Sequence, residues 1–195
     1  MKLKVLVLII AALTLAACNA SENDSTSASM LQIVSLTGND LEGKEGSTTV
    51  FSDVVGAAGS IINDNGVAVL RTETIDPNLK NVSSYMDIMV DQIDVKFQRT
   101  DGRNVEGVDV PYSFTQPMNV LVMLNQEMTV PFVLIRHVAK MEPPLLALRE
   151  VPSREFVLQL VAIVTIHGKD LGGHRVAPVT GYISVWCANF ADEEA

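Results

Sequence analysis

The chain has 195 residues, 48% of them hydrophobic and only 5% aromatic, with a formal charge of −9. That length suits one domain with a sizeable core. The acidic balance repels phosphate backbones, and no basic arm offsets it, so nucleic acid is excluded as a ligand class.

The first four residues, Met1-Lys2-Leu3-Lys4, make a short positive start, and Val5–Leu15 is apolar except for Thr14. A bilayer span needs about 20 such residues. This shorter run has the form of the hydrophobic region of a secretion signal. Leu15-Ala16-Ala17-Cys18 follows directly. It resembles the lipobox of bacterial lipoproteins. The resemblance implies cleavage between Ala17 and Cys18 and a diacylglyceryl group on the Cys18 thiol. Residues 1–17 are then a signal peptide, and the protein is held to a membrane by acyl chains, each buried CH₂ contributing about 0.8 kcal/mol. Asn19 stands where an Asp would favour inner-membrane retention in enterobacteria. The resemblance therefore implies the cell envelope, and the outer membrane in a Gram-negative host. Losing Lys2 and Lys4 with the signal takes the charge to about −11.

Ala20–Ser29 reads ASENDSTSAS, without periodicity or a large apolar side chain. Such a segment cannot offset its ordering entropy, so residues 18–29 are expected to be a flexible tether of roughly 20 Å. From Met30 to the end, Val, Ile, Thr and Leu dominate, punctuated by Gly, Asn, Asp and Pro. This is strand-and-turn composition. Strands are expected at Leu31–Leu36, Thr48–Val54, Val67–Ile75, Ile88–Thr100, Asn119–Leu124, Thr129–Ala139, Glu155–His167 and Val176–Phe190, the last with a break near Gly181. Only Met141–Val151 reads as a short helical connector, bounded by Pro143-Pro144 and Pro152. Strands without intervening helices point to an all-β, antiparallel sandwich over residues 30–195.

Two strands declare their faces. In Glu155–His167 the even positions Leu158, Leu160, Ala162, Val164 and Ile166 are wholly apolar and should face the core. In the last strand Val179, Ile183, Val185 and Cys187 should do so, which leaves Tyr182, Ser184 and Trp186 outward. Gly168–Gly173 is the expected hairpin loop between them, and Pro131 and Pro178 mark edges or bulges.

The stretch FQRTDGRNVEGVDVPY, residues 97–112, with the Arg136-His137 pair and Glu142-Pro143-Pro144, resembles a group of small bacterial lipoproteins of unknown function. That resemblance implies an immunoglobulin-like sandwich and brings no established catalytic residues.

Candidate chemistry is sparse. Cys187 is the only thiol left once Cys18 is lipidated, so no intramolecular disulfide is expected, and its apolar setting makes it a packing residue. His167 and His174 flank the hairpin loop with Asp170 at its tip, a set that would bind a transition metal if it converged. With His137 they are also the residues a metal-dependent envelope hydrolase would use. Asp87, Asp91, Asp94, Asp101, Glu106 and Asp109 gather acid in one region of the sequence, where Ca²⁺ is a conceivable cofactor, although no D-x-D-x-D-G loop is present. There is no G-x-S-x-G, P-loop, dinucleotide fingerprint, H-E-x-x-H or C-x-x-C. Trp186, Tyr182 and Phe190 would form an aromatic ladder for sugar or protein if exposed. Arg103 and Tyr112, in the Asp101–Tyr112 loop, are further binding candidates. The reading is a non-enzymatic, membrane-tethered module that binds an envelope protein. A small-ligand or carbohydrate-binding lipoprotein is the alternative.

Overall fold

The computed structural model describes residues 26–39, 46–56, 59–151 and 155–190. The expected signal peptide, Ala17, Cys18 and the expected tether as far as residue 25 lie outside the described residues.

Among the described residues eight strands form, each overlapping an expected one: β1 (Ser29–Gly38), β2 (Thr49–Asp53), β3 (Asp64–Thr74), β4 (Ile88–Gln98), β5 (Phe114–Val122, starting well before the expected Asn119), β6 (Glu127–Ile135), β7 (Leu158–Asp170) and β8 (Val179–Ala188). They make a three-stranded sheet, β1-β3-β6, and a five-stranded sheet, β2-β8-β7-β4-β5. All pairings are antiparallel except β2 with β8. Only β4–β5 and β7–β8 are hairpins within a sheet; the other connections cross between sheets. This is the strand order of an immunoglobulin-like sandwich.

The alternating pattern explains why these sheets pack. Leu158, Leu160, Ala162, Val164 and Ile166 of β7 are all buried, as are Ile183, Val185 and Cys187 of β8. Phe97, Ile93 and Val95 of β4 oppose Leu70 and Ala68 of β3, and Leu134 of β6 joins the same core. Burying each larger side chain contributes about 1.5–3 kcal/mol. The two ends of the sandwich are distinct. One, the proximal end, carries Thr26, the β3–β4 and β7–β8 connections and the β5–β6 turn. The other, the distal end, carries the β4–β5 loop and the long β6–β7 connection.

Four expectations change. Thr26–Ser29 belong to the fold rather than to a tether: Thr26 bridges Arg175, Ser27 and Ser29 are buried, and the Ser29 hydroxyl donates to the Met86 carbonyl at 2.7 Å. Their side chains are small enough to sit beneath a neighbouring loop, which composition alone does not reveal. The Met141–Val151 helix is replaced by two 3₁₀ turns, His137–Met141 and Leu146–Leu148, so β6 stops at Ile135. Pro143 and Pro144 lie between the turns and prevent one continuous helix. β8 runs unbroken through Gly181, where an added Cβ would press on Leu36 and Ile33 of the facing sheet at 3.0 and 3.2 Å. That glycine marks a close approach and not a break. Finally, β7 extends through Gly168 to Asp170 and β8 begins only at Val179, so the connection runs over 171–178, later and longer than the expected Gly168–Gly173 loop.

Candidate functional site

A buried polar cluster lies at the distal end, where both sheets and the His137–Met141 turn meet. Lys140 is fully buried, and its Nζ donates to Asp64 Oδ1 at 2.9 Å and to the Asp53 carbonyl at 2.8 Å. The Ser52 hydroxyl donates to the other Asp64 oxygen at 2.5 Å. Asp53 in turn accepts from the Phe190 amide at 3.1 Å. The cluster thus ties β2, the start of β3, the β6–β7 connection and the end of β8 together. Burial raises the Asp64 carboxyl above its ordinary value and outweighs the charge of Lys140 and the hydrogen bonds from Ser52 and Lys140. Cys187 lies against this cluster. Burial first, and the Asp64 charge second, push its thiol up to about 12. A thiol so held is a packing group and not a nucleophile.

Lys140 and Asp64 also floor a cleft of about 330 Å³, with Asn39, Asn63, Asn65, Asp53 and Phe51 on its walls. Phe51 links this cleft to the outer face of the five-stranded sheet, meeting Trp186 and Phe190 edge-to-face at 5.5 and 5.8 Å. Trp186 is 37% exposed and Tyr182 67% exposed. The expected ladder is therefore rearranged. Phe51, cross-strand from Trp186, is its centre, while Tyr182 stands apart beside Ile163.

The β4–β5 loop is braced by its own side chains. Asn104 accepts from the Arg99 amide at 2.7 Å, Asp109 accepts from the Val105 amide at 3.1 Å, and Asp101 holds both Arg99 and Arg103. Val110 anchors it in the core, and Gly107, at φ +75°, lies directly against the Tyr112 ring. With its backbone so fixed, the loop projects Val105 (60% exposed), Val108 (66%) and Tyr112 (50%), flanked by the Arg103 guanidinium.

The metal set expected at the β7–β8 hairpin does not assemble. His167 meets Asp94 across the sheet at 2.9 Å, whereas His174 meets Asp170 at 3.0 Å. Asp170 is not at a loop tip but buried at the end of β7, where the inward register of even positions puts it. His137 lies at the opposite end, against Asn63. The acid-rich region is likewise divided. Asp87 accepts from the Leu124 amide, Asp91 faces Lys169, Asp94 takes Thr115, Gln92 and His167, and Asp101 takes two arginines. Among the described residues, no three His, Cys, Asp or Glu side chains are grouped to hold a metal.

These carboxylates make the fold acid-sensitive. At Asp94, burial raises the carboxyl, but hydrogen bonds from Thr115, Gln92 and His167 together lower it. Asp170 behaves likewise through His174 and Ser27. At Asp101 the Arg99 hydrogen bond leads, bringing it to about 2. A folded value below the unfolded one stabilises the fold above the unfolded value near 3.8 and is lost as pH falls through the folded value. Asp64 acts in the opposite sense. The urea midpoint should therefore fall between about pH 4 and pH 2, and an Asp94→Asn, Asp170→Asn chain should show a shallower fall.

Sequence reasoning missed Asp64, Ser52 and Lys140, which are distant in sequence, and Phe51, whose role depends on β2 pairing with β8. Comparison with protein-family models and with curated protein sequences returns no match for this chain.

Proposed function

We propose that the protein is a lipid-anchored interaction module of the cell envelope, which acts by binding a protein partner and not by catalysis. The observation that carries this reading is the self-braced β4–β5 loop, which holds Val105, Val108 and Tyr112 exposed beside Arg103. Tyr and Arg are enriched among residues that dominate binding energy, and a preformed loop loses little entropy on docking. The sheet edges suit this role less well. Pro131 interrupts the β6 edge, and the Gln116 side chain pairs with both backbone groups of Val133, each at 2.8 Å. A photo-crosslinker placed at Val108 should give one reproducible adduct in intact cells, and the same group at Thr165 should not. Equal or absent adducts at both positions would reject the loop as the docking element.

The anchor is supported by Leu15-Ala16-Ala17-Cys18. Cys18→Ser should move the protein from membrane to soluble fractions with its fold intact. Thiol counting gives an independent check. The mature lipidated chain should show no fast-reacting thiol, since Cys187 is buried and weakly acidic. A chain lacking lipid should show one, from Cys18.

A second reading, a small polar ligand or sugar in the cleft walled by Asn39, Asn63, Asn65 and Phe51, is favoured by the contact of Phe51 with the exposed Trp186. Titration with mono- and oligosaccharides while following the fluorescence of Trp186, the only tryptophan, tests it.

A further inference from the structure

We propose that the proximal end of the sandwich rests on the bilayer surface beneath the anchor, so that the β4–β5 loop is held facing away from the membrane. The inference rests on the reading of Cys18 as the lipid anchor and adds an orientation to it.

Chain length limits where the domain can be. Thr26 is bridged to Arg175, and the Ile75 amide donates to the Ala28 carbonyl at 2.9 Å, so the chain enters the fold at the proximal end. Cys18 precedes Thr26 by eight residues. Even fully extended, eight residues reach only about 28 Å. A segment this short keeps the proximal end at an effective concentration near the lipid in the millimolar range, so a weak interfacial affinity is enough to hold it there.

The surface presented at that end suits an interface. Ile75 is 56% exposed, Val82 53%, Tyr85 70%, Leu171 42% and Met123 39%, and they come from three separate connections. Asp87 fastens those connections together: its carboxylate accepts from the Leu124 amide at 2.9 Å and its carbonyl from the Leu171 amide at 3.0 Å. Further internal bonds occupy the Asn78 and Tyr85 amides. Loop backbone paired within the protein can approach lipid without stripping water from bare amides. Tyrosine suits the headgroup region, having an apolar ring and a polar tip.

Charge agrees. The whole chain carries −9, but residues 75–87, 123–126 and 169–175 hold three acids, Asp76, Asp87 and Asp170, against three bases, Lys80, Lys169 and Arg175. Asp87 and Asp170 are already occupied by protein donors. Those three connections are therefore near neutral, while Glu22 and Asp24 of the preceding segment and Glu127 beside them add acid, so the face suits a zwitterionic rather than an anionic surface.

The test uses the full lipidated chain reconstituted in phosphatidylcholine vesicles carrying bromine on the acyl chains. With Trp186→Phe as background, Tyr85→Trp places a reporter at the proximal end and Val138→Trp places one at the distal end. The inference expects at least twofold stronger bromolipid quenching for Tyr85→Trp than for Val138→Trp. It also expects that added Val82→Asp and Leu171→Asp changes erase the difference. Equal quenching at both ends, or none at either, overturns it. So does a concentration-dependent dimer that shields Tyr85→Trp from an aqueous quencher without bromolipid quenching. If the purified chain carries no lipid on Cys18 and does not float with vesicles, the anchor reading fails and the orientation falls with it. Flotation without preferential quenching removes the orientation alone.

Discussion

Replacing Lys140 by Met should cost about 3–5 kcal/mol at pH 7 and lower the melting temperature by about 10–15 °C. The reason is the state in which it leaves Asp64. In the wild type that carboxylate is largely buried, and Lys140 with Ser52 supplies its close partners. Without the ammonium, the carboxylate must stay charged in an apolar setting or take up a proton. Protonating a carboxyl whose ordinary value is 3.8 costs about 4.4 kcal/mol at pH 7, which limits the part of the penalty that comes from the orphaned charge. The deficit should therefore shrink as pH falls toward 4, because the mutant's Asp64 is raised further than the wild type's and gains protons on folding. Lys140→Met with Asp64→Asn should recover much of the loss at pH 7, since neither residue then brings a buried charge. Urea unfolding of the three proteins at pH 7 and pH 4.5 measures all of this. A single mutant as destabilised at pH 4.5 as at pH 7 would show that packing, rather than the orphaned charge, sets the cost.

That cluster shows where the sequence was and was not legible. Strand positions were readable because a half-buried strand alternates. Leu158 through Ile166 announce their inward face with every second residue, and the register follows. The sandwich architecture followed from eight such strands with no helix able to form a βαβ unit. Lys140 was not readable, because a lysine after an apolar run looks like a solvated cap, and its partner lies 76 residues earlier. His167 and His174 were misjoined for a related reason. Sequence proximity suggested they faced each other, but strand alternation turns His167 outward toward Asp94 of the neighbouring strand. Asp170 turns inward, where the turn returns His174 to it. Phe51 was overlooked because its meaning depends on the parallel β2–β8 pairing. A five-residue edge strand carries no signal of the partner it will take.

Residues 97–112 were singled out by resemblance, and the structure supplies a physical account of their composition. Asp101, Asn104 and Asp109 each bind backbone or arginine within the loop, and Gly107 has the left-handed φ that admits the Tyr112 ring above it. Gly107→Val should consequently disrupt this loop while leaving the sandwich standing. A β-branched residue at φ +75° costs about 1–3 kcal/mol in backbone strain. The added side chain would also collide with Tyr112, at a further cost of about 1–3 kcal/mol. The core strands on either side do not depend on that turn, so the chain can relieve the strain by opening the loop locally rather than unfolding. Global stability should fall by no more than the cost of that opening. Hydrogen exchange in residues 99–112 should accelerate by at least tenfold, and limited proteolysis should cut within the loop. If the loop is the docking element, crosslinking from Val108 should disappear in the same variant while membrane retention through Cys18 is unchanged. Gly107→Ala, with a smaller side chain at the same φ, should give the same pattern in weaker form. A Gly107→Val chain that retains full crosslinking would separate the loop's rigidity from its binding, and would move the partner contact to the Trp186 face.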